Sequence, residues 1–217
     1  MLLLIALISI VIGIILVNIL LRLLQNKYKM EYISLAIAFL GAFSGFTLAQ
    51  YANNFSEEVK NKNNTLGILK ATEFSTTNAL QEVETHIEVA EAARKLEKEG
   101  KKRLISPSPI TMRLPNTLEI LQREGVMFLQ LSHQFQANLP SFIRYSRIYE
   151  EALEKFGKEK FQTGTLANIK DELEVQLLCI KIEIQRLNNQ INDSDFNEQF
   201  HAALGQRYQK LLTRANQ

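Results

Sequence analysis

Hydrophobic positions follow two different patterns along the chain. Leu2 to Leu21 reads LLLIALISIVIGIILVNILL, interrupted only by Ser9, Gly13 and Asn18, and Tyr32 to Ala52 reads YISLAIAFLGAFSGFTLAQYA, without a charge. From Thr65 onward the apolar residues recur at spacings of three and four, the mark of helices with one buried face. A bilayer core of about 30 Å takes about 20 apolar residues at a rise of about 1.5 Å each. Both N-terminal segments reach that length. The pattern therefore predicts a two-helix transmembrane hairpin over residues 1–55, with spans at about 2–21 and 32–52. A cleaved signal peptide fits less well, because only Met1 precedes the first run and Arg22-Leu23-Leu24-Gln25 offers no small-residue cleavage site. With Cys179 the sole cysteine, a lipoprotein anchor is not expected either. Tyr28, Tyr32 and Tyr51 sit near the ends of the spans, where amphipathic rings favour an interface.

Residues 56–64, SEEVKNKNN, read as a polar juxtamembrane linker, although the second span also has the option of continuing straight through as helix. Residues 65–217 read as a soluble antiparallel bundle of about five helices, so the expected fold class is all-α. Leu66, Leu69, Leu80, Val83, Ile87 and Ala90 mark the first of these helices, which Gly100 ends. Lys101 to Pro115 carries three prolines and reads as a loop. Asn116 and Glu119 have capping-box spacing, ahead of a stripe of Leu121, Gly125, Phe128, Ser132, Phe135 and Leu139 that Pro140 is expected to close. Ser141 then caps a helix bearing Phe142, Tyr145, Tyr149, Ala152, Leu153 and Phe156, with Gly157 as its stop. Thr165 to Ile191 has the clearest period. Leu166, Ile169, Leu173, Gln176, Ile180, Glu183 or Ile184, Leu187 and Ile191 form a near-heptad seam, widened by Val175, Leu178 and Ile182 toward a bundle interior. Asp193, Ser194 and Asp195 are cap candidates for a last helix with Phe196, Phe200, Leu204, Tyr208 and Leu211.

Charge adds little selectivity. Of 25 basic and 23 acidic residues, Arg22, Lys27, Lys29 and Glu31 fall before Ser56, which leaves 22 of each sign beyond it. A nucleic-acid binder normally carries a basic surplus, so no dedicated nucleic-acid binding is expected. Arg22, Lys27 and Lys29 in the hairpin loop place that loop in the cytoplasm under the positive-inside rule. The expected localisation is then a multi-pass protein of the cell membrane with its helical domain on the non-cytoplasmic side. Lys60, Lys62 and Lys70 nearly balance that count.

Candidate chemistry is sparse. Ser34, Ala38, Gly41, Gly45 and Ala49 form a small-residue ridge suited to helix packing, either between protomers or within the hairpin. Asn18 and Gln50 are amides within the apolar segments that want a partner or interfacial water. Lys101, Lys102 and Arg103, followed by Ser106, Ser108 and Thr111, offer a possible anion-binding loop, but without the glycine-rich cradle of a nucleotide site. His86, His133 and His201 show no metal-ligand spacing beyond the single pair Glu198 and His201, so neither a metal nor a cofactor is expected. Cys179 reads as a small core residue, not a nucleophile. No catalytic constellation emerges, and an enzyme ranks last. The expected partners are the lipid bilayer and a second copy or another protein. The leading expectation is a membrane-anchored interaction or sensor module for a protein partner or small ligand; the alternative is an oligomeric membrane-disrupting effector gated by the helical domain.

Overall fold

The longest helix, α1, runs from Lys29 to Lys98. The first proline of the chain is Pro107, so nothing in this stretch removes a helix donor. Thr65, Thr72, Thr77 and Thr85 turn their hydroxyls back onto the carbonyls of Asn61, Ile68, Glu73 and Gln81 at 2.8–2.9 Å, which satisfies them within the helix. Gly100 takes φ +70°, and its N–H donates to the Glu97 carbonyl, so the helix closes on the left-handed glycine its sequence predicts. The computed structural model describes residues 29–100, 117–156 and 163–215, together with 11, 14, 15, 18, 19 and 22.

Among the described residues five helices follow α1: α2 (Thr117–Arg123), α3 (Gly125–Phe128), α4 (His133–Phe156), α5 (Thr163–Leu187) and α6 (Asp193–Ala215). The described residues are all-helical and contain no strand, as the periodicity predicts. The chain divides into two compact units, Met1–Lys60 and Asn61–Gln217.

The second unit is a helical bundle. Its main core gathers Leu69 from α1, Leu121 from α2, Phe135 and Leu139 from α4, Ile180 from α5 and Phe200 from α6, all fully buried. Phe135 lies 5.8 Å from Phe142 and 6.3 Å from Phe200 between ring centroids, both pairs inclined, the geometry aromatic quadrupoles prefer. A second cluster joins Ala79 and Val83 of α1 to Tyr149 of α4 and to Leu166, Ile169 and Leu173 of α5. The α5 seam is buried from Leu166 through Ile169, Leu173, Gln176, Ile180, Glu183 and Ile184 to Leu187, whereas Ile191, the last expected position, lies beyond the helix end and is half-buried. Cys179 is a fully buried thiol, in keeping with a core role.

Three expectations change. Among the described residues no helix is long and apolar enough to cross a membrane. The transmembrane hairpin and the multi-pass membrane localisation, with its sidedness, are thereby corrected. A span needs about eighteen or more apolar residues in one helix, and the described residues supply no such window. The first expected span, apart from its five described positions, lies outside the described residues, as does the loop of Lys101, Lys102 and Arg103. Second, residues 56–64, read as a linker, are helical and belong to α1. Third, Pro140 does not close a helix; it lies inside α4, and the break falls earlier, at Glu124 and at Leu129–Ser132.

Candidate functional site

Two features of the described residues go beyond ordinary core packing. The first is a buried ionic clasp in the helical unit. Glu183 projects from α5 into the interior and has 0% exposure. A buried carboxylate needs every lone pair answered, and this one is well supplied. The Ser132 N–H donates to Oε1 at 2.8 Å and the Ser132 hydroxyl to Oε2 at 2.6 Å. Arg186, one turn along α5, donates from Nε at 3.0 Å and Nη2 at 2.6 Å to Oε1. The same Nη2 reaches the Gln130 carbonyl at 2.6 Å, and the guanidinium lies 5.8 Å from the Phe196 ring centroid. Ser132 Oγ also accepts the Phe135 N–H at 3.1 Å, so one hydroxyl caps α4 and binds Glu183. Gln136 Nε2 adds bonds to the carbonyls of Phe128 and Leu131. The turn from Phe128 to Ser132 is thus tied to α5 by side chains, where α3 itself buries no residue. Chemically the clasp holds a turn. Both carboxylate oxygens are occupied, one by a cation, so Glu183 does not resemble a base poised to activate the serine.

A smaller cluster repeats the design. Glu119 of α2 accepts from Nε and Nη2 of Arg147 on α4, the former at 2.9 Å, and from Arg123 at 3.3 Å. The Thr72 and Thr117 hydroxyls meet at 2.7 Å and join α1 to α2. Lys170 of α5 meets Glu84 of α1 at 2.8 Å, and that hydrogen bond is the main cause holding the Lys170 pKa above its usual value.

The second feature is the apolar surface of α1 in the first unit. Leu35, Ile37, Phe39, Phe46, Leu48 and Phe55 are each more than half exposed, and Phe39 reaches 72%. Ala38, Gly41, Gly45 and Ala49 of the expected ridge are exposed along the same stretch, as is Ser34. A Cβ added at Gly41 or Gly45 meets nothing within 4 Å, so no described neighbour packs into the ridge. The hydroxyl of Thr47 donates within the helix, to the carbonyls of Phe43 at 2.9 Å and Ser44 at 3.0 Å. Asn18 and Gln50 are exposed.

The remaining candidates do not converge. His86 Nδ1 sits 2.9 Å from the Glu82 carbonyl of its own helix, and His133, Glu198 and His201 are exposed. No group of three His, Cys, Asp or Glu side chains among the described residues is placed to hold a metal ion. The clasp escaped the sequence reading because Glu183 appeared there as a seam position shared with Ile184, and Ser132 as part of an apolar stripe. A carboxylate at a heptad seam was the available signal. Glu119 appeared as a capping residue, and its arginine partner Arg147 lies 28 positions away. No family model, curated protein or solved structure matches the chain.

Proposed function

We propose that the protein is an interaction module that binds a protein partner through the apolar surface of α1 between Ser34 and Val59. The observation that carries this reading is the exposure of Leu35, Phe39 and Phe46 on one side of α1 and of Ile37, Leu48 and Phe55 on the opposite side. A monomeric protein rarely leaves a contiguous apolar patch above about 300–600 Å² in water, and larger ones mark association surfaces. Burial of such surface is favourable at roughly 25 cal/mol per Å², so a partner that covers it gains affinity without new polar contacts. The helical unit 61–217 is held internally by its own core and by the Glu183 clasp, so it serves as the folded body carried on the same chain.

Site-directed photocrosslinking tests the proposal. A photoreactive phenylalanine analogue at Phe39 or Phe46 in the full chain should yield covalent adducts with protein on illumination in cells. The same analogue at Phe74, exposed at 68% on the helical unit, should yield far fewer. Absence of protein adducts at Phe39, Phe46 and Phe55 alike defeats the reading.

A further inference from the structure

We infer that residues 124–130 form a strap on the main core that opens locally, ahead of the rest of the helical unit, and that side-chain bonds from Arg186 and Gln136 latch it shut.

Burial is the first observation. Leu121 and Leu131 are buried, and no residue between them is. Gln122 to Val126 are exposed, and so is Leu129, at 76%. Met127 and Phe128 pack against the main core but are only half-buried. By contrast, α5 buries a seam from Leu166 to Leu187. Segments with few buried apolar contacts are where a native protein opens first.

Backbone geometry is the second. Glu124 departs from helical geometry at ψ 89° and gives α3 no side-chain cap. At the other end the helical pattern is broken from Leu129 to Ser132. The segment therefore has a hinge on each side. Between them α3 has four residues, far below the roughly 12–15 at which an isolated helix holds. Once lifted from the core it does not keep its own hydrogen bonds.

The third is how the strap is attached. Arg186 of α5 donates from Nη2 to the Gln130 carbonyl at 2.6 Å, and Gln136 of α4 donates from Nε2 to the Phe128 carbonyl at 3.0 Å. Arg186 is itself aimed by Glu183, which it meets through Nε at 3.0 Å and Nη2 at 2.6 Å. Glu183 binds Ser132 at the foot of the strap, so that end stays fixed while the latch releases. A planar guanidinium reaches the carboxylate and the carbonyl together, which a lysine ammonium does not reproduce.

Native-state hydrogen exchange of the full chain, read amide by amide, tests the inference. The N–H groups of Phe128, Leu129, Gln130 and Leu131 donate to the carbonyls of Glu124, Gly125, Met127 and Phe128, so their exchange waits on opening of the strap. Their protection should be at least about tenfold below that of Cys179 and Ile180 in α5, and insensitive to low urea, because a local opening exposes little surface. Val83→Ala, in the second cluster, should lower protection at Cys179 and Ile180 and leave the strap unchanged. Arg186→Lys keeps a charge beside Glu183 and should lower strap protection about tenfold; Gln136→Ala should lower it about threefold or more. Equal protection of strap and α5 in the parent, or parallel loss at both in Val83→Ala, overturns the inference, because the strap then opens only with the whole unit. Strap protection unmoved by either Arg186→Lys or Gln136→Ala overturns the latch.

Discussion

Glu183 carries a full charge into a site without water contact, and its four short hydrogen bonds explain how the bundle tolerates it. Removing one partner of a buried ion pair typically costs about 3–5 kcal/mol, because the other charge stays buried and unanswered. Glu183→Ala leaves the Ser132 donors unanswered and Arg186, which is 22% exposed, with only the Gln130 carbonyl and the Phe196 ring, so stability read from urea unfolding should fall by about 3 kcal/mol, the lower end of that range. Ser132→Ala removes one hydroxyl bond and the α4 cap and should cost less, about 1–2 kcal/mol. An equal loss in the two variants, or none in Glu183→Ala, contradicts the clasp. Lys170 gives a pH-dependent counterpart. Its pKa is raised in the folded state, mainly by the hydrogen bond to Glu84. Stability from a raised lysine is fully present below the unfolded value of 10.5 and is lost as pH climbs through the higher folded value. Both side chains are about a third or more exposed, so solvent screening limits the pair to under about 1 kcal/mol. Lys170→Met should therefore be slightly destabilised at pH 7 and indistinguishable from the parent at strongly alkaline pH.

At the scale of elements, helix ends follow local rules wherever the rule involves nearby residues. Asn192 Oδ1 accepts the Asp195 N–H at 2.9 Å, and its amide donates to the Asp195 carboxylate, which starts α6 one residue before the expected candidates. Asn189 takes φ 57°, with Asn189 N–H bonded to Arg186 and Gln190 N–H to Gln185, a Schellman end for α5. Pro140 is the exception to local reading. It removes one donor from the interior of α4, and the helix persists because Phe135, Leu139 and Phe142 bury on either side of it. Packing outweighs the local cost here. Pro140 is exposed, so Pro140→Ala restores the bond to the Gln136 carbonyl without touching the core. Its denaturation midpoint should rise, by as much as about 3 kcal/mol in stability. Leu173→Asp acts oppositely. It places an unpaired charge in the α1–α4–α5 cluster, which costs several kcal/mol, roughly 3 or more. Cooperative thermal unfolding of the helical unit should disappear, and a melt like that of the parent means Leu173 is not buried.

For the whole molecule, the division at Lys60 and Asn61 separates a unit with its own core from one whose described large side chains are mostly exposed. A fragment from Asn61 to Gln217 should therefore unfold in one cooperative transition, at the midpoint the full chain shows for its helical unit. Loss of cooperativity in the fragment would mean that residues before Asn61 complete the core. The first unit has the opposite requirement. Its apolar surface finds little cover among the described residues of its own chain, so a protein partner that covers it should stabilise it by mass action.

The sequence by itself determined the helical class, the buried seam of α5, the stop at Gly100 and the apolar stretch of α1. Each of these depends on residues within a turn or two of one another, and period and capping are local properties. Only the tertiary structure decided that Glu183 answers Ser132 from 51 positions away, that Glu119 pairs with Arg147, and that Thr72 meets Thr117. No spacing along a chain encodes such pairings; they arise when separate helices bring distant side chains within about 3 Å. The same contrast accounts for the membrane hairpin. An uncharged run was measured against bilayer thickness, but spanning requires one helix to remain apolar for its whole crossing. Among the described residues no helix does so.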